Sequence, residues 1–257
     1  MRMIRIITGT PAHEVCRNTV VIIPALNEAI ALPKVISHLK HWPLAGIRVV
    51  DNGSTDNTVT IAGANGAEVI QEPVRGYGSA CWAGLQRLPP SAGWILFCDA
   101  DGCDDLSALM PFFEAAASGC DLVLGNRNAL PDSRRSLTWP QRFGNSLAGW
   151  LIWLRWGSRF QDLGPLRLVR RSSLEAICME DRGFGWTVEM QAKAAAMKLK
   201  TREIPVYYFP RRAGKSKISG TIYGTIMAGS VILGTLAKLC LRKLPQPRNL
   251  PNTFDQP

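Results

Sequence analysis

What the sequence lacks narrows it first. Its seven cysteines (16, 81, 98, 103, 120, 178 and 240) are odd in number and never spaced as CxxC. Neither a disulfide framework nor a structural zinc site is indicated, and a reducing compartment is expected. The apolar residues between Arg2 and Arg5 are too few for a signal-peptide core, so no export signal is read. No internal repeat is found. With 46% hydrophobic, 19% charged and 8% aromatic residues, the composition excludes disorder, collagen-like repeats and a many-span membrane protein. A chain of 257 residues is long enough for one large domain or two small ones without covalent staples.

Acidic residues are scarce in the second half. Residues 1–133 hold nine Lys/Arg against thirteen Asp/Glu, whereas residues 134–257 hold twenty-one against seven, within a net charge of +10. Such a basic half suits phosphorylated ligands, a polyanion or an acidic membrane surface. A nucleic acid is not the expected partner: no RNA or DNA motif is present, and the aromatics of that half sit among Leu and Ile instead of on a stacking strand.

From Thr19 onward short β-branched runs alternate with helical patterns. Strands are expected at Val20–Ile23, Ile47–Asp51, Ala67–Ile70, Trp94–Cys98 and Asp121–Gly125, with helices near 28–40, 56–64, 78–88 and 105–118. This predicts a doubly wound α/β half with a mainly parallel sheet. After Pro131 helices are expected near 143–156, 171–179, 185–199 and 218–241, around strands at Leu166–Val169 and Glu203–Phe209. In open α/β sheets ligands sit beyond the carboxyl ends of the strands. Asn27-Glu28, Asp51 to Asp56, Asp99 to Asp105 and Asn126-Arg127 each follow an apolar strand there.

Asp99 and Asp101 flank one residue at a strand end, where both carboxylates can aim at one point. Hard oxygen ligands beside a cleft suit Mg²⁺ or Mn²⁺ held with a substrate's phosphates; the plainer reading is that Asp101 or Asp104 caps the next helix. Asp51 could accept a hydrogen bond from a base or ribose, or close a turn with Gly53 and cap through Ser54 or Asp56. Arg75-Gly76-Tyr77-Gly78-Ser79 opens a helix, a natural anion site through backbone N–H groups, although it is not GxGxxG.

Five strings in order, VVIIPALNE (20–28), VVDNGSTDNT (49–58), RGYGSA (75–80), CDADG (98–102) and LGNR (124–127), resemble the family 2 glycosyltransferases of GT-A fold. QDLGPLR (161–167), VEM (188–190) and RRAGKSK (211–217) narrow the resemblance to the dolichyl/polyprenyl-phosphate hexose synthase branch, over roughly residues 18–240. The resemblance implies a GT-A (Rossmann-like) α/β fold: a mixed, mainly parallel sheet flanked by helices, with a C-terminal membrane-associated helical segment. It divides the chain into an N-terminal extension (1–17), the GT-A domain (18–210, with a nucleotide-sugar half to 130 and an acceptor half from 131), a closing segment and membrane-associated helix (211–243), and a disordered tail (244–257).

By the same resemblance Pro24, Asn27, Glu28, Asp51 and Arg75 bind the nucleotide, and Asp99 and Asp101 hold the metal. Arg127, Arg142 and Arg211 meet the acceptor phosphate and donor diphosphate, with Ser216 and Lys217 closing around them. The implied activity is metal-dependent inverting transfer of a hexose from a UDP- or GDP-linked sugar to a polyprenyl-phosphate lipid at the cytoplasmic face of a membrane. Catalytic weight falls on Asp99, Asp101, Arg127, Arg142, Asp162, Glu189 and Arg211. The rival is a hydroxyl acceptor, for which Asp162 or Glu189 would be the general base. Two residues depart from the family pattern: Cys103 stands where a third metal ligand, Gln, is often found, and Asn52 where a second Asp is. A non-catalytic scaffold is the reading those departures would support.

Two segments suit a lipid-borne acceptor. Leu147 to Trp156 sets Trp150, Trp153 and Leu154 on one helical face with Trp156 beside Arg155, as fits the headgroup level of a bilayer. Ser219 to Ala237 is uncharged over a nearly spanning length, but its glycines and hydroxyls favour a helix on or in the interface.

Overall fold

The computed structural model describes residues 8–211 and 222–241, with the side chains of 222–230 left aside. In chain order the elements are α1 (Pro11–Arg17), β1 (Thr19–Ala25), α2 (Leu32–Leu39), β2 (Gly46–Asp51), α3 (Thr58–Ala64), β3 (Glu68–Gln71), α4 (Tyr77–Leu85), β4 (Trp94–Phe97), a 3₁₀ turn (Leu106–Ala108) running into α5 (Leu109–Ala117), and β5 (Leu122–Asn126). There follow α6 (Pro131–Ser136), α7 (Trp139–Trp156), β6 (Arg167–Arg170), α8 (Arg171–Ile177), α9 (Trp186–Ala196), β7 (Thr201–Pro205) and α10 (Ile222–Leu241).

The strands form one sheet of seven in the order β3-β2-β1-β4-β6-β5-β7. Every pairing is parallel except those of β6, which runs antiparallel to both β4 and β5. The sheet is thus mixed and mainly parallel, as the alternation of runs predicts. Strands β1, β4 and β5 are buried on both faces, which is why they read as continuous apolar runs rather than alternations. Two apolar cores cover the two faces. One contains Ile22, Phe97, Leu124, Ile152 and Trp186, with Leu236 of α10 packed in; the other contains Ile23, Leu32, Phe112, Val123 and Leu168.

Several expectations need correction. The run 203–209 is not one strand: β7 ends at Pro205, and beyond it only Tyr208 bridges, to Asp104. Helix α7 begins at Trp139, because Thr138 and Gln141 form a reciprocal capping box. Helices α1 and α6 were not expected, and α1 places Val15 and Cys16 in the core although it lies in the stretch read as an extension. Among the described residues no helix is long and apolar enough to cross a membrane.

Helix α7 carries two glycines with opposite surroundings. A Cβ on Gly149 would stand 2.1 Å from the carbonyl oxygen of Phe160, whereas one on Gly144 would meet nothing within 4 Å. Replacing Gly149 by Ala is therefore expected to destabilise the fold by ~1–3 kcal/mol through forced backbone displacement. The same change at Gly144 is expected to stabilise by ~0.5–1 kcal/mol. Denaturant midpoints of the two variants check this; equal midpoints would overturn the close approach of α7 to the 160 loop.

Candidate active site

The acidic side of the cleft forms at the ends of β1, β2 and β4. Asp51, the last residue of β2, accepts the N–H groups of Gly53 (3.2 Å) and Ser54 (3.2 and 3.3 Å), so its carboxylate closes the turn that follows it. Asn27, at φ 52°, donates its N–H to Ser54 Oγ (2.8 Å) and accepts that of Thr55 (2.7 Å), while the Glu28 N–H donates to Thr58 Oγ1 (2.9 Å). These bonds zip the loop after β1 to the loop after β2. Pro24 lies in β1 opposite Val50, and Arg75 Nη2 donates to the Gly53 carbonyl (3.2 Å) with its guanidinium lying over that glycine. The five residues expected at a nucleotide thus gather at the ends of two neighbouring strands.

Asn52 is explained by what it touches. Its Nδ2 donates to the carbonyls of Glu72 (2.9 Å) and Val74 (2.8 Å), and its Oδ1 accepts the Gly76 N–H (2.8 Å). An ionised carboxylate has no donor for the two carbonyls, so the departure from the family pattern is a loop tether. The glycine-rich helix start is not an open anion site. The N–H groups of Gly78 and Ser79 already donate to the carbonyls of Gly183 (3.0 Å) and Arg182 (2.8 Å).

At the end of β4, Asp101 Oδ1 accepts the Cys103 N–H (2.9 Å), and Asp104 Oδ2 accepts the Asp99 N–H (2.9 Å). The helix cap is Asp105, which accepts the Ser107 N–H, and not Asp101 or Asp104. Arg211 Nη2 bridges Asp101 Oδ2 (3.1 Å) and Glu28 Oε1 (3.0 Å). Burial and then the charges of Asp101 and Asp104 push Asp99 well above the usual carboxylate range, and burial pushes Asp104 up to about 7. Such an edge favours positive charge, and Arg211 already supplies one on Asp101. The donor set, hard oxygens with the remaining positions left to phosphate and water, fits Mg²⁺ or Mn²⁺. Among the described residues no group of three or more His, Cys, Asp and Glu is gathered to hold an ion alone. Cys103 does not supply a further ligand: burial, then the adjacent Asp101 carboxylate, pushes its thiol up to about 12 and keeps it neutral.

The basic side differs more from expectation. Arg127, just past β5, donates to Asp162 through Nε (2.8 Å, to Oδ2), Nη2 (2.8 Å, to Oδ1) and its backbone N–H (2.8 Å, to Oδ2), and its guanidinium lies 4.9 Å from the Tyr208 ring centroid. Asn145 Nδ2 of α7 adds a bond to Asp162 Oδ1 (2.6 Å). One edge of Arg127 is thus committed to Asp162 and is not available to an anion. Arg142 lies one helical turn before Asn145, and its buried Nε has no hydrogen-bond partner among the described residues. Glu189 accepts the N–H groups of Glu180 (2.9 and 3.2 Å) and Asp181 (2.7 Å) and pairs with Lys193 Nζ (2.7 Å), so it braces the 180 loop. Asn145, Tyr208 and Glu203, which accepts the N–H groups of Gln161 and Asp162, were missed by sequence reasoning. Ser216 and Lys217 lie outside the described residues.

The Asn52 tether can be tested on stability alone. Asn52→Asp is expected to lower the unfolding free energy by ~1–3 kcal/mol at neutral pH, the cost of two lost hydrogen bonds with a carboxylate set against the two carbonyls. The carboxyl raised by those carbonyls regains a proton, and with it a donor, on acidification, so the deficit should shrink toward about pH 4. Denaturant titrations at the two pH values read this; a deficit absent at neutral pH would remove the tether.

Comparison with known proteins agrees with this geometry. The glycosyl transferase family 2 matches residues 20–178. An uncharacterized glycosyltransferase of Mycobacterium bovis is 38% identical over 210 residues, 81% of this chain and 93% of the relative. An undecaprenyl-phosphate mannosyltransferase of Micrococcus luteus is 29% identical over 237 residues, 84% of this chain and 94% of the relative. Among solved structures, the glucosyl-3-phosphoglycerate synthase of Mycobacterium tuberculosis, in complex with Mn²⁺, uridine-diphosphate-glucose and phosphoglyceric acid, superposes with a TM-score of 0.65 at 20% identity, covering 94% of this chain and 86% of that one. A family match over more than half of the chain, on a sheet whose strand ends gather these carboxylates, makes the chain a glycosyltransferase of family 2.

Proposed function

We propose that the protein is a divalent-metal-dependent, inverting hexosyltransferase that moves a sugar from a nucleotide donor to a polyprenyl-phosphate type lipid at the cytoplasmic face of a membrane. The observation that carries the choice of acceptor is the saturation of Asp162 and Glu189. A carboxylate offers about four lone-pair sites; Asp162 receives four hydrogen bonds, and Glu189 is held by three donors, the Glu180 N–H being shared between its two oxygens, while both are almost fully buried. Every oxygen of both is engaged in holding structure, which disfavours taking a proton from a hydroxyl. A phosphate nucleophile is ionised near neutral pH and needs no base.

In this reading an acceptor phosphate oxygen attacks the anomeric carbon as the bond from that carbon to the leaving diphosphate breaks on the opposite face, inverting the centre. Arg127 and Arg142 orient the acceptor phosphate, and Arg211 turns from Asp101 to the diphosphate, each Arg offering a fixed fork of donors. Asp99 and Asp101 would hold the metal, which when bound neutralises charge on the leaving diphosphate. Pro24, Asn27, Glu28, Asp51 and Arg75 line the nucleotide. The Micrococcus luteus relative, by its name, acts on undecaprenyl phosphate, and the solved synthase binds Mn²⁺ with a uridine-diphosphate sugar; both support the assignment.

A membrane surface as partner is supported by α7. Trp139, Phe143, Trp150 and Leu154 lie on one face of that helix with exposures of 68, 55, 53 and 63%. The Arg159 guanidinium lies 5.0 Å from the Trp153 ring centroid, and that of Arg155 5.5 Å from that of Trp156. Aromatics and Arg on one exposed face match the headgroup level of a bilayer. Trp156 departs from the expected pattern, since it is half-buried against the core.

The test is transfer from labelled UDP- and GDP-sugars to polyprenyl phosphate, polyprenol and phosphoglyceric acid in parallel, with and without chelator. Transfer to polyprenyl phosphate alone is expected, lost in chelator and in Asp101→Ala with the melting temperature little changed. Transfer to the free alcohol or to phosphoglyceric acid, or full activity in chelator, would overturn it. Asp162→Asn and Glu189→Gln are expected to leave a residual rate without rescue at alkaline pH; such rescue would indicate a general base and a hydroxyl acceptor.

A further inference from the structure

Arg127 sits where four separate stretches of chain meet, its own and three others. Asp162 comes from the loop before β6, Asn145 from the buried face of α7, Tyr208 from the segment after β7, and the guanidinium itself from the end of β5. Gly164 adds a steric limit: a Cβ there would stand 3.1 Å from Arg127 Nε and 3.3 Å from Asp162 Oδ2. The Asp162 backbone is pinned on its own, donating to Glu203 Oε1 (3.2 Å) and accepting from Gln191 Nε2 (3.0 Å). Backbone pinning leaves the rotation of the carboxylate plane open. The Arg127 backbone N–H on Oδ2 (2.8 Å) and Asn145 Nδ2 on Oδ1 (2.6 Å) together fix that rotation, and among the described residues Asn145 is the side-chain donor to Asp162 that does not belong to Arg127.

The result is an oriented cation. Nε and Nη2 of Arg127 are turned to Asp162, and Nη1 has no acceptor among the described residues. A planar guanidinium locked along one edge presents its other edge in a set direction, which a mobile surface arginine does not. Arg142, one turn from Asn145 on the same helix, has a buried Nε without a hydrogen-bond partner among the described residues. We infer that Asn145 is a positioning residue for transfer: by holding Asp162 it sets the free edge of Arg127 against the acceptor phosphate. The inference rests on the phosphate-acceptor reading, and it makes Asp162 an orienting group instead of a proton acceptor.

The test uses the full chain with a nucleotide sugar and polyprenyl phosphate. Asn145→Leu, close in volume but without a donor, is expected to raise the acceptor KM or lower kcat by about tenfold, in line with the loss of one charge-assisted hydrogen bond. Nucleotide affinity, by calorimetry with UDP and GDP, should stay within about twofold, since the nucleotide residues gather at β1 and β2. In a double-mutant cycle with Arg127→Lys the losses should be strongly non-additive, because both changes disturb one guanidinium. Wild-type acceptor kinetics in folded Asn145→Leu, or additive losses in the cycle, would overturn the inference. If Asn145→Leu does not fold, Gly164→Ala presses on the same ion pair from outside α7. It should show the same selective acceptor defect, and its absence counts against the inference equally. Failure of the acceptor reading is separable. If the wild-type protein glycosylates an alcohol and not the phosphate, that reading falls, while the cycle on the alcohol still reports whether Asn145 acts through Arg127.

Discussion

The cleft depends on bringing positive charge to carboxylates that a parallel sheet concentrates along one edge. Glu28, Asp99, Asp101 and Asp104 collect at the ends of β1 and β4, and like charges about 4 Å apart repel by ~4 kcal/mol at an effective dielectric near 20. The cations that offset them come from far along the chain: Arg211 reaches Glu28 across 183 residues and Asp101 across 110. At this edge the charge asymmetry of the sequence, acidic before residue 133 and basic after it, shows as Arg211 of the basic half paired with Glu28 and Asp101 of the acidic one. Arg211 offsets this repulsion at Asp101 and Glu28, whereas Asp99 is still pushed up by burial and by its neighbours, and a metal–diphosphate complex would enter an edge already arranged for a cation.

Strand order makes this possible. Inserting β6 between β4 and β5, antiparallel to both, places the loop entering β6 beside the residue leaving β5. That is how Asp162, 35 residues from Arg127, meets it along the full edge of the guanidinium. Ion pairs this deeply buried are poor sources of net stability, because desolvation offsets most of the attraction, and removal of one partner costs ~3–5 kcal/mol. What such a pair supplies is direction. Glu189 and Lys193 do the same for the loop at 180, whose carbonyls cap α4 beside the Asn52 tether.

The sheet was legible because its central strands are buried on both faces and announce themselves as β-branched runs, and the strand-end motifs follow from the rule that ligands sit beyond the carboxyl ends. The remainder was hidden for identifiable reasons. The capping box Thr138–Gln141 was readable and would have started α7 a turn earlier. The end of β7 was not, since Val206 to Phe209 keeps an apolar and aromatic composition while leaving the ladder. Within the site, sequence spacing cannot report convergence. Asn145 is one polar side chain among several in α7, and its partner lies 17 residues on; Glu203 serves Asp162 from 41 residues away. Asn52 and Cys103 were conspicuous only as departures from a pattern. Their surroundings show an amide that needs its donor and a thiol that stays neutral.

Helix α7 joins the two halves of the proposed reading in one rigid element. Its buried face carries Asn145 against Asp162 and Gly149 against the Phe160 carbonyl, a contact too close for any side chain. Its opposite face carries the exposed ridge of Trp139, Phe143, Trp150 and Leu154. The two faces are separated by about 10 Å, the width of a helix, and Asn145 and Trp150 differ by only about 8 Å along the axis at 1.5 Å per residue. In the proposed reading a bilayer seated on the ridge would lie across one helix from the Asn145–Asp162 contact, with the relative placement set by the backbone of α7. An enzyme that takes its acceptor from a lipid surface has to present a fixed anion site at a fixed depth. In the proposed reading, a single helix that grips the orienting carboxylate on one side and would meet the surface on the other satisfies both requirements.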